Sequence, residues 1–122
     1  MANVFNDQKK FMKACDQSVD DYNHGQVALY ANLIDEEVEE FKQAYSKYDH
    51  VEMLDALIDI LVVTVGAIHS MGADGEGAWH EVMSTNFAKI DKETGKVRKR
   101  EDGKVLKPLG WKAPELGQFI KK

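Results

Sequence analysis

Residues 52–68 read EMLDALIDILVVTVGAI, an almost wholly apolar segment with three carboxylates on its leading half. At about 100° per residue, Glu52, Asp55 and Asp59 fall within roughly 60° of one another on a helix. Met53, Leu54, Leu57, Ile58, Ile60, Leu61, Val65 and Ile68 occupy the remaining sides. A helix apolar on nearly every side is a buried helix. Carboxylates are almost never buried without a partner. The segment is therefore expected to lie inside an assembly with its acidic line facing something polar.

A second acidic helix precedes it. LIDEEVEEF (33–41) places Glu36, Glu37 and Glu40 on an arc of about 100°, beside the apolar stripe Val27, Tyr30, Ile34, Val38, Phe41 and Tyr45. Asp35 and Glu39 point elsewhere and read as solvated charges. Residues 1–88 contain only five Lys/Arg, namely Lys9, Lys10, Lys13, Lys42 and Lys47, against 16 Asp/Glu. Ion pairing cannot neutralise the six clustered acids, whereas divalent cations can. Carboxylate-only ligation favours Mg²⁺ or Mn²⁺ over zinc. A di-iron bundle is excluded, because none of His24, His50, His69 and His80 stands three residues after a Glu.

Net charge separates along the chain. The first 88 residues are strongly acidic, and residues 89–122 carry 11 Lys/Arg against five Asp/Glu. Such a balance is a poor nucleic-acid surface and suits an acidic metal site with a segment that meets phosphate. No apolar run reaches membrane-spanning length, and MANVFNDQKK lacks the apolar core of a signal peptide. With Cys15 as the single cysteine, no intrachain disulfide is possible and a cytoplasmic setting is expected. Cys15 reads as a small buried hydrophobe.

The pattern predicts an all-α, four-helix, bundle-like fold in one domain spanning 1–122, with a helical body over about 5–89 and an irregular basic tail over about 90–122. The first helix is expected from Asn6 or Asp7 to about Val19, and the second over about 26–47. The third starts from Asp49, with Glu52 completing a capping box, and runs to about Met71 before Gly72. The fourth begins near Asp74. In the tail, Asp102-Gly103 is a hairpin turn signal.

Taken together, E36-E37-x-x-E40 and E52-x-x-D55-x-x-x-D59 resemble the all-α MazG-like nucleoside triphosphate pyrophosphohydrolases, the superfamily of dimeric dUTPases and phosphoribosyl-ATP pyrophosphohydrolase. DILVVTVGAIHSMGAD is similar to that group's third helix and following turn, EVMSTNFAK to its Asn-x-x-Lys segment, and REDGKVLKPLGWKAPEL to a tail of its small phage or bacterial branch. The chain departs from the pattern at Ala56, where the group usually has Glu three residues before the Asp that opens the apolar run.

The resemblance implies hydrolysis of a (d)NTP between the α and β phosphates, giving a nucleoside monophosphate and pyrophosphate. It implies two or three Mg²⁺ ions, replaceable by Mn²⁺, held by Glu36, Glu37, Glu40, Glu52, Asp55 and Asp59, with Asp59 and Asp55 foremost on the third helix. Glu37 is the expected proton acceptor. Asn86, Lys89, Lys104 and Lys107 are expected to contact phosphate or ribose. Leu33 and Asn32 are expected beside the base, with Gln8, Gln17, Asn23 and Gln26 as further amides; Trp79 and Trp111 read chiefly as packing residues. A purine such as dGTP or GTP is favoured over dUTP or dCTP. Phosphoribosyl-ATP hydrolysis and a non-catalytic nucleotide-sensing or interaction module are the rival readings. The partner expected besides the substrate is the chain itself, as a homo-tetramer or homo-dimer, with neither nucleic acid nor membrane.

Overall fold

In the computed structural model, which describes residues 3–120, the chain is all-helical, with four α-helices and no strand among the described residues. These are α1 (Val4–Ala14), α2 (His24–Ser46), α3 (His50–Ser70) and α4 (Gly75–Phe87), followed by a short 3₁₀ turn at Gly117–Phe119. Among the described residues no helix is long and apolar enough to cross a membrane. The described residues divide into two compact units, one holding residues 3–75 and residue 120, the other residues 76–119.

In the first unit, α1 begins earlier and ends sooner than its sequence suggests. Asn3, not Asn6 or Asp7, is the cap, its side chain accepting from the N–H groups of Phe5 and Asn6. The helix stops at Ala14, and Asp16 takes a left-handed φ of 59°. Val19 is buried as expected, but it reaches the core from the connection after the helix. Cys15, the C-cap, is exposed, which corrects its reading as a buried hydrophobe.

The long hairpin α2–α3 dominates this unit. Asn23 caps α2 by accepting from Gln26 N–H at 3.0 Å, and Asp49 caps α3 by accepting from Glu52 N–H at 3.2 Å, as the capping-box pattern predicts. Three residues, Lys47 to Asp49, reverse the chain, so the helices run antiparallel. Met12, Val19 and Tyr30 form the buried core, with Leu33, Val63 and Ala67 packed against them. Gly66 permits the close approach of α2 to α3, since a Cβ there would lie 2.3 Å from the Tyr30 ring. Gly72 ends α3 at φ 69°, with the backbone of Asp21 and Tyr22 where a side chain would stand.

Buried amides lock the connection to the hairpin. Gln26 Nε2 donates to Ser18 O at 2.6 Å and to Ser70 Oγ at 2.8 Å, while its Oε1 accepts from Ser18 N–H. Tyr30 Oη donates to Gln17 Oε1 at 2.6 Å. Burial, partly offset by hydrogen bonds to Gln17 and Gln8, holds the Tyr30 hydroxyl above its ordinary pKa. Gln17, Asn23 and Gln26 are thus engaged in holding the fold, and Gln8 is buried beside Tyr30.

Within the single chain α3 keeps an open apolar face. The helix is not buried all round: Val51, Leu54, Leu57, Ile58, Leu61 and Val62 are exposed, Leu54 by 63% and Ile58 by 50%. Within the first unit α3 packs against α2 and α1, which leave this side of it open among the described residues.

The second unit begins with the body of α4. Beyond it the chain is irregular, with two isolated antiparallel bridges, Ile90 with Val97 and Lys99 with Val105. The second bridge closes over Asp102-Gly103, with Gly103 at φ 87° and Arg100 N–H donating to Lys104 O at 2.8 Å. The turn signal is thus realised as a single rung. Trp111 anchors the segment by donating from Nε1 to Thr85 O at 2.7 Å.

Candidate active site

The acidic faces of α2 and α3 meet. Glu37 and Glu40 from α2 and Asp59 from α3 each present a carboxylate oxygen within 4.8 Å of the other two. The helical period accounts for the α2 pair: residues three apart share a face, and that face looks across the hairpin at Asp59. Glu37 and Asp59 are half-buried, Glu40 exposed.

The electrostatics are those of crowded anions. Glu37 is pushed up to about 7, first by desolvation, then by its hydrogen bond to Glu40 and by the charges of Glu40, Asp59 and Asp55. Asp59 is also raised, by desolvation and then by Asp55 and Glu40. Like charges at this separation disfavour ionisation of one another. No cation answers them: the two ion pairs among the described residues are Lys9–Asp20 at 3.8 Å and Arg100–Asp102 at 2.6 Å. Glu37 Oε2 is buried with no hydrogen-bond partner. A buried, unsatisfied carboxylate oxygen facing two further carboxylates is a misfit for the bare protein and a fit for a hard divalent cation.

Of the six predicted metal ligands, the structure brings Glu37, Glu40 and Asp59 together. Asp55 is exposed but near enough for its charge to raise both Glu37 and Asp59. Glu36 is exposed outside the triad. Glu52 lies one turn nearer the hairpin bend and, with Glu40 and Asp55, lines a hollow of about 420 Å³ completed by Gln43, Ala44, Lys47, Asp49 and Ala56. The small, buried Ala56, at the position where the sequence departs from the expected Glu, is one of its lining residues. Lys47 enters the sequence reasoning only as a possible ion-pair partner. Its place just ahead of the Asp49 cap is visible in the sequence, but only the hairpin puts it in the lining of the hollow with Glu40, Glu52 and Asp55.

Leu33 packs against the core, and Asn32 is exposed on α2. In the second unit Lys89 Nζ donates to Asn86 Oδ1 at 3.0 Å, so the Asn-x-x-Lys pair is joined on one helical turn. Lys89 and Lys107 both stack on Trp111, their ammonium groups 5.0 and 4.9 Å from its ring centre. Lys104 is exposed on the one-rung hairpin. Trp111 is thus a packing residue that orders two lysines, and Trp79 is exposed.

Comparison with known proteins agrees with this geometry. The family model for phosphoribosyl-ATP pyrophosphohydrolase matches residues 7–86, about two-thirds of the chain, a span that contains all six acids and Asn86. No protein of curated function matches the sequence. The chain belongs to the phosphoribosyl-ATP pyrophosphohydrolase family, within the MazG-like superfamily, and its chemistry is that of a nucleotide pyrophosphohydrolase.

Proposed function

We propose that the protein hydrolyses a (d)NTP between its α and β phosphates, releasing a nucleoside monophosphate and pyrophosphate, with Mg²⁺ as its natural cation and Mn²⁺ as a substitute. The observation that carries this reading is the cation-free triad of Glu37, Glu40 and Asp59, with Glu37 Oε2 buried and unpartnered. Bound divalent ions would supply the positive charge that draws a triphosphate to an acidic cluster and polarises its oxygens and the attacking water.

Glu37, Glu40 and Asp59 are the primary ligands in this reading, Asp55 the next, and Glu36 and Glu52 outer acids. Glu37 is also the general base, accepting a proton from the water that attacks the α phosphorus. The water oxygen bonds to the α phosphorus as the bond to the bridging oxygen breaks, and pyrophosphate departs with that oxygen. Asn86, Lys89, Lys104 and Lys107 are assigned to phosphate or ribose contacts, Lys89 and Lys107 being pre-ordered by Trp111.

Leu33 and Asn32 are assigned to the nucleoside, with a purine such as dGTP or GTP favoured over dUTP or dCTP. A homo-oligomer, tetramer ahead of dimer, covers the apolar face of α3, and the setting is cytoplasmic. The matched family's own description supports a second reading, phosphoribosyl-ATP as substrate.

The test is a hydrolysis panel over all (d)NTPs and phosphoribosyl-ATP with Mg²⁺, measuring pyrophosphate and phosphate separately. Pyrophosphate release from a (d)NTP is expected. Turnover of phosphoribosyl-ATP alone supports the second reading. Rates within about tenfold across all bases, about 1.4 kcal/mol, remove the purine preference. Absence of turnover together with absence of divalent binding by calorimetry leaves a non-catalytic module.

A further inference from the structure

The hollow beside the triad has a direction. It starts at Glu40, which belongs to both, and ends at the hairpin bend, lined on one side by the last turns of α2 with its C-cap Lys47 and on the other by the first turns of α3 with its N-cap Asp49. Apart from Ala44 and Ala56 its lining is polar or charged, with four carboxylates against one lysine, which suits cations, and phosphate carried in with them, better than a nucleobase. Its volume of about 420 Å³ is within the range of small-ligand sites. Lys47 is the one cation among the lining residues, opposite Glu40, Asp49, Glu52 and Asp55, yet it makes no ion pair among the described residues.

The backbone beneath Lys47 is held firmly. Its N–H bonds to the carbonyls of Gln43 and Ala44, Tyr48 follows with a left-handed φ of 53°, and Asp49 N–H donates to Ala44 O at 3.1 Å. A bulky residue in that region persists only where its surroundings over-determine it. The side chain of Lys47 therefore rises from a fixed base into an acidic hollow that gives it no partner.

We propose that Lys47 contacts the two terminal phosphates of the substrate in this hollow and steadies the charge of the departing pyrophosphate, the nucleoside pointing the other way along α2 toward Leu33. The assignment rests on the pyrophosphohydrolase reading above and adds the substrate's orientation to it. As the bond between the α phosphorus and the bridging oxygen breaks, negative charge builds on the leaving group, and an ammonium placed there acts more strongly in the transition state than in the ground state.

Product binding separates the two ends of the substrate. Calorimetric titrations with Mn²⁺ present would use pyrophosphate and GMP as probes on wild type, Lys47→Ala, Lys47→Arg and Lys42→Ala, an exposed α2 lysine outside the hollow. Loss of one charge-assisted contact weakens binding by about tenfold or more. Lys47→Ala is expected to lose at least that for pyrophosphate while GMP binding stays within twofold; Lys47→Arg retains most of the affinity, and Lys42→Ala matches wild type. Unchanged pyrophosphate binding in Lys47→Ala, or an equal loss for GMP, overturns the role of Lys47 while leaving the pyrophosphohydrolase reading intact. A lowered Tm in Lys47→Ala with no difference between the two probes identifies a structural residue and also overturns it. Wild type that binds neither product with Mn²⁺ present removes the reading itself and the proposal with it.

Discussion

Replacing Glu37 with Gln should make the metal-free protein more stable and its metal response smaller, a pair of opposite effects that few other substitutions would produce. In the folded protein Glu37 ionises near 7, against an ordinary value of 4.5. Below 4.5 the carboxyl is protonated in both folded and unfolded chains and contributes nothing to the balance. Between 4.5 and about 7 the folded chain keeps a proton that the unfolded chain has released, so folding stability falls as pH rises through that window, and above it the penalty is complete. The difference between the two values corresponds to about 3 kcal/mol. Solvent reaches the half-buried cluster and screens it, so about 1–2 kcal/mol is the expected effect. Glutamine has nearly the same shape and cannot ionise. In EDTA, Glu37→Gln should therefore match wild type at pH 4.5 and exceed it at pH 8 by about 1–2 kcal/mol, or about 3–10 °C in Tm for a chain of this length. Added Mn²⁺ should raise wild type by about 2.7 kcal/mol at 100 times its dissociation constant and the variant by much less. Thermal melts at pH 4.5, 6 and 8, with EDTA and with Mn²⁺, measure all of this. A variant that is less stable than wild type at pH 8 in EDTA, or a stability difference indifferent to pH, would refute the crowded-anion account of Glu37. Superimposed wild-type curves with and without Mn²⁺ would refute the metal site.

Three other outcomes follow from particular contacts. Asp35→Asn and Glu39→Gln, exposed and outside the triad, should leave turnover within twofold of wild type in the pyrophosphate assay, whereas Glu37→Gln and Glu40→Gln abolish it; an equal loss from all four would mean the wrong face of α2 was assigned. Gly66→Ala should destabilise by about 1–3 kcal/mol in urea unfolding, because the added methyl displaces Tyr30 from the core and from Gln17, outweighing the gain of about 0.5–1 kcal/mol that Ala normally brings to a helix interior. Light scattering at micromolar concentration should give a multiple of 13.8 kDa, since Leu54, Leu57, Ile58 and Leu61 share one exposed face of α3 and a contiguous apolar face of this kind marks an interface; a monomer mass would count against the oligomer.

Local rules were enough for much of this molecule. The period of 3.6 residues marked α2 and α3, Asp49 with Glu52 marked where α3 starts, and Gly72 marked where it stops, because caps and periodicity depend on residues a few positions apart. The same period put Glu37 and Glu40 on one side of α2, and the shortage of lysines in the first 88 residues showed that their charge needed a cation. Other features depend on residues far apart in the chain. That Asp59 meets Glu37 and Glu40, while Glu52 and Asp55 line the adjoining hollow, follows from the register of the hairpin, and that register is set by the three-residue turn and by Gly66 seating Tyr30. The early end of α1 was hidden because Val19 is buried whether it arrives on a helix or on the connection after it. The glutamines of the N-terminal region looked available in sequence and are spent inside the fold, since a side-chain amide binds whichever backbone the tertiary packing brings to it. The all-round apolar pattern of α3 already marked it as a helix for the inside of an assembly, but which residues one protomer leaves open, Leu54, Leu57, Ile58 and Leu61 among them, was decided only by packing, because it depends on which sides of α3 meet α1 and α2.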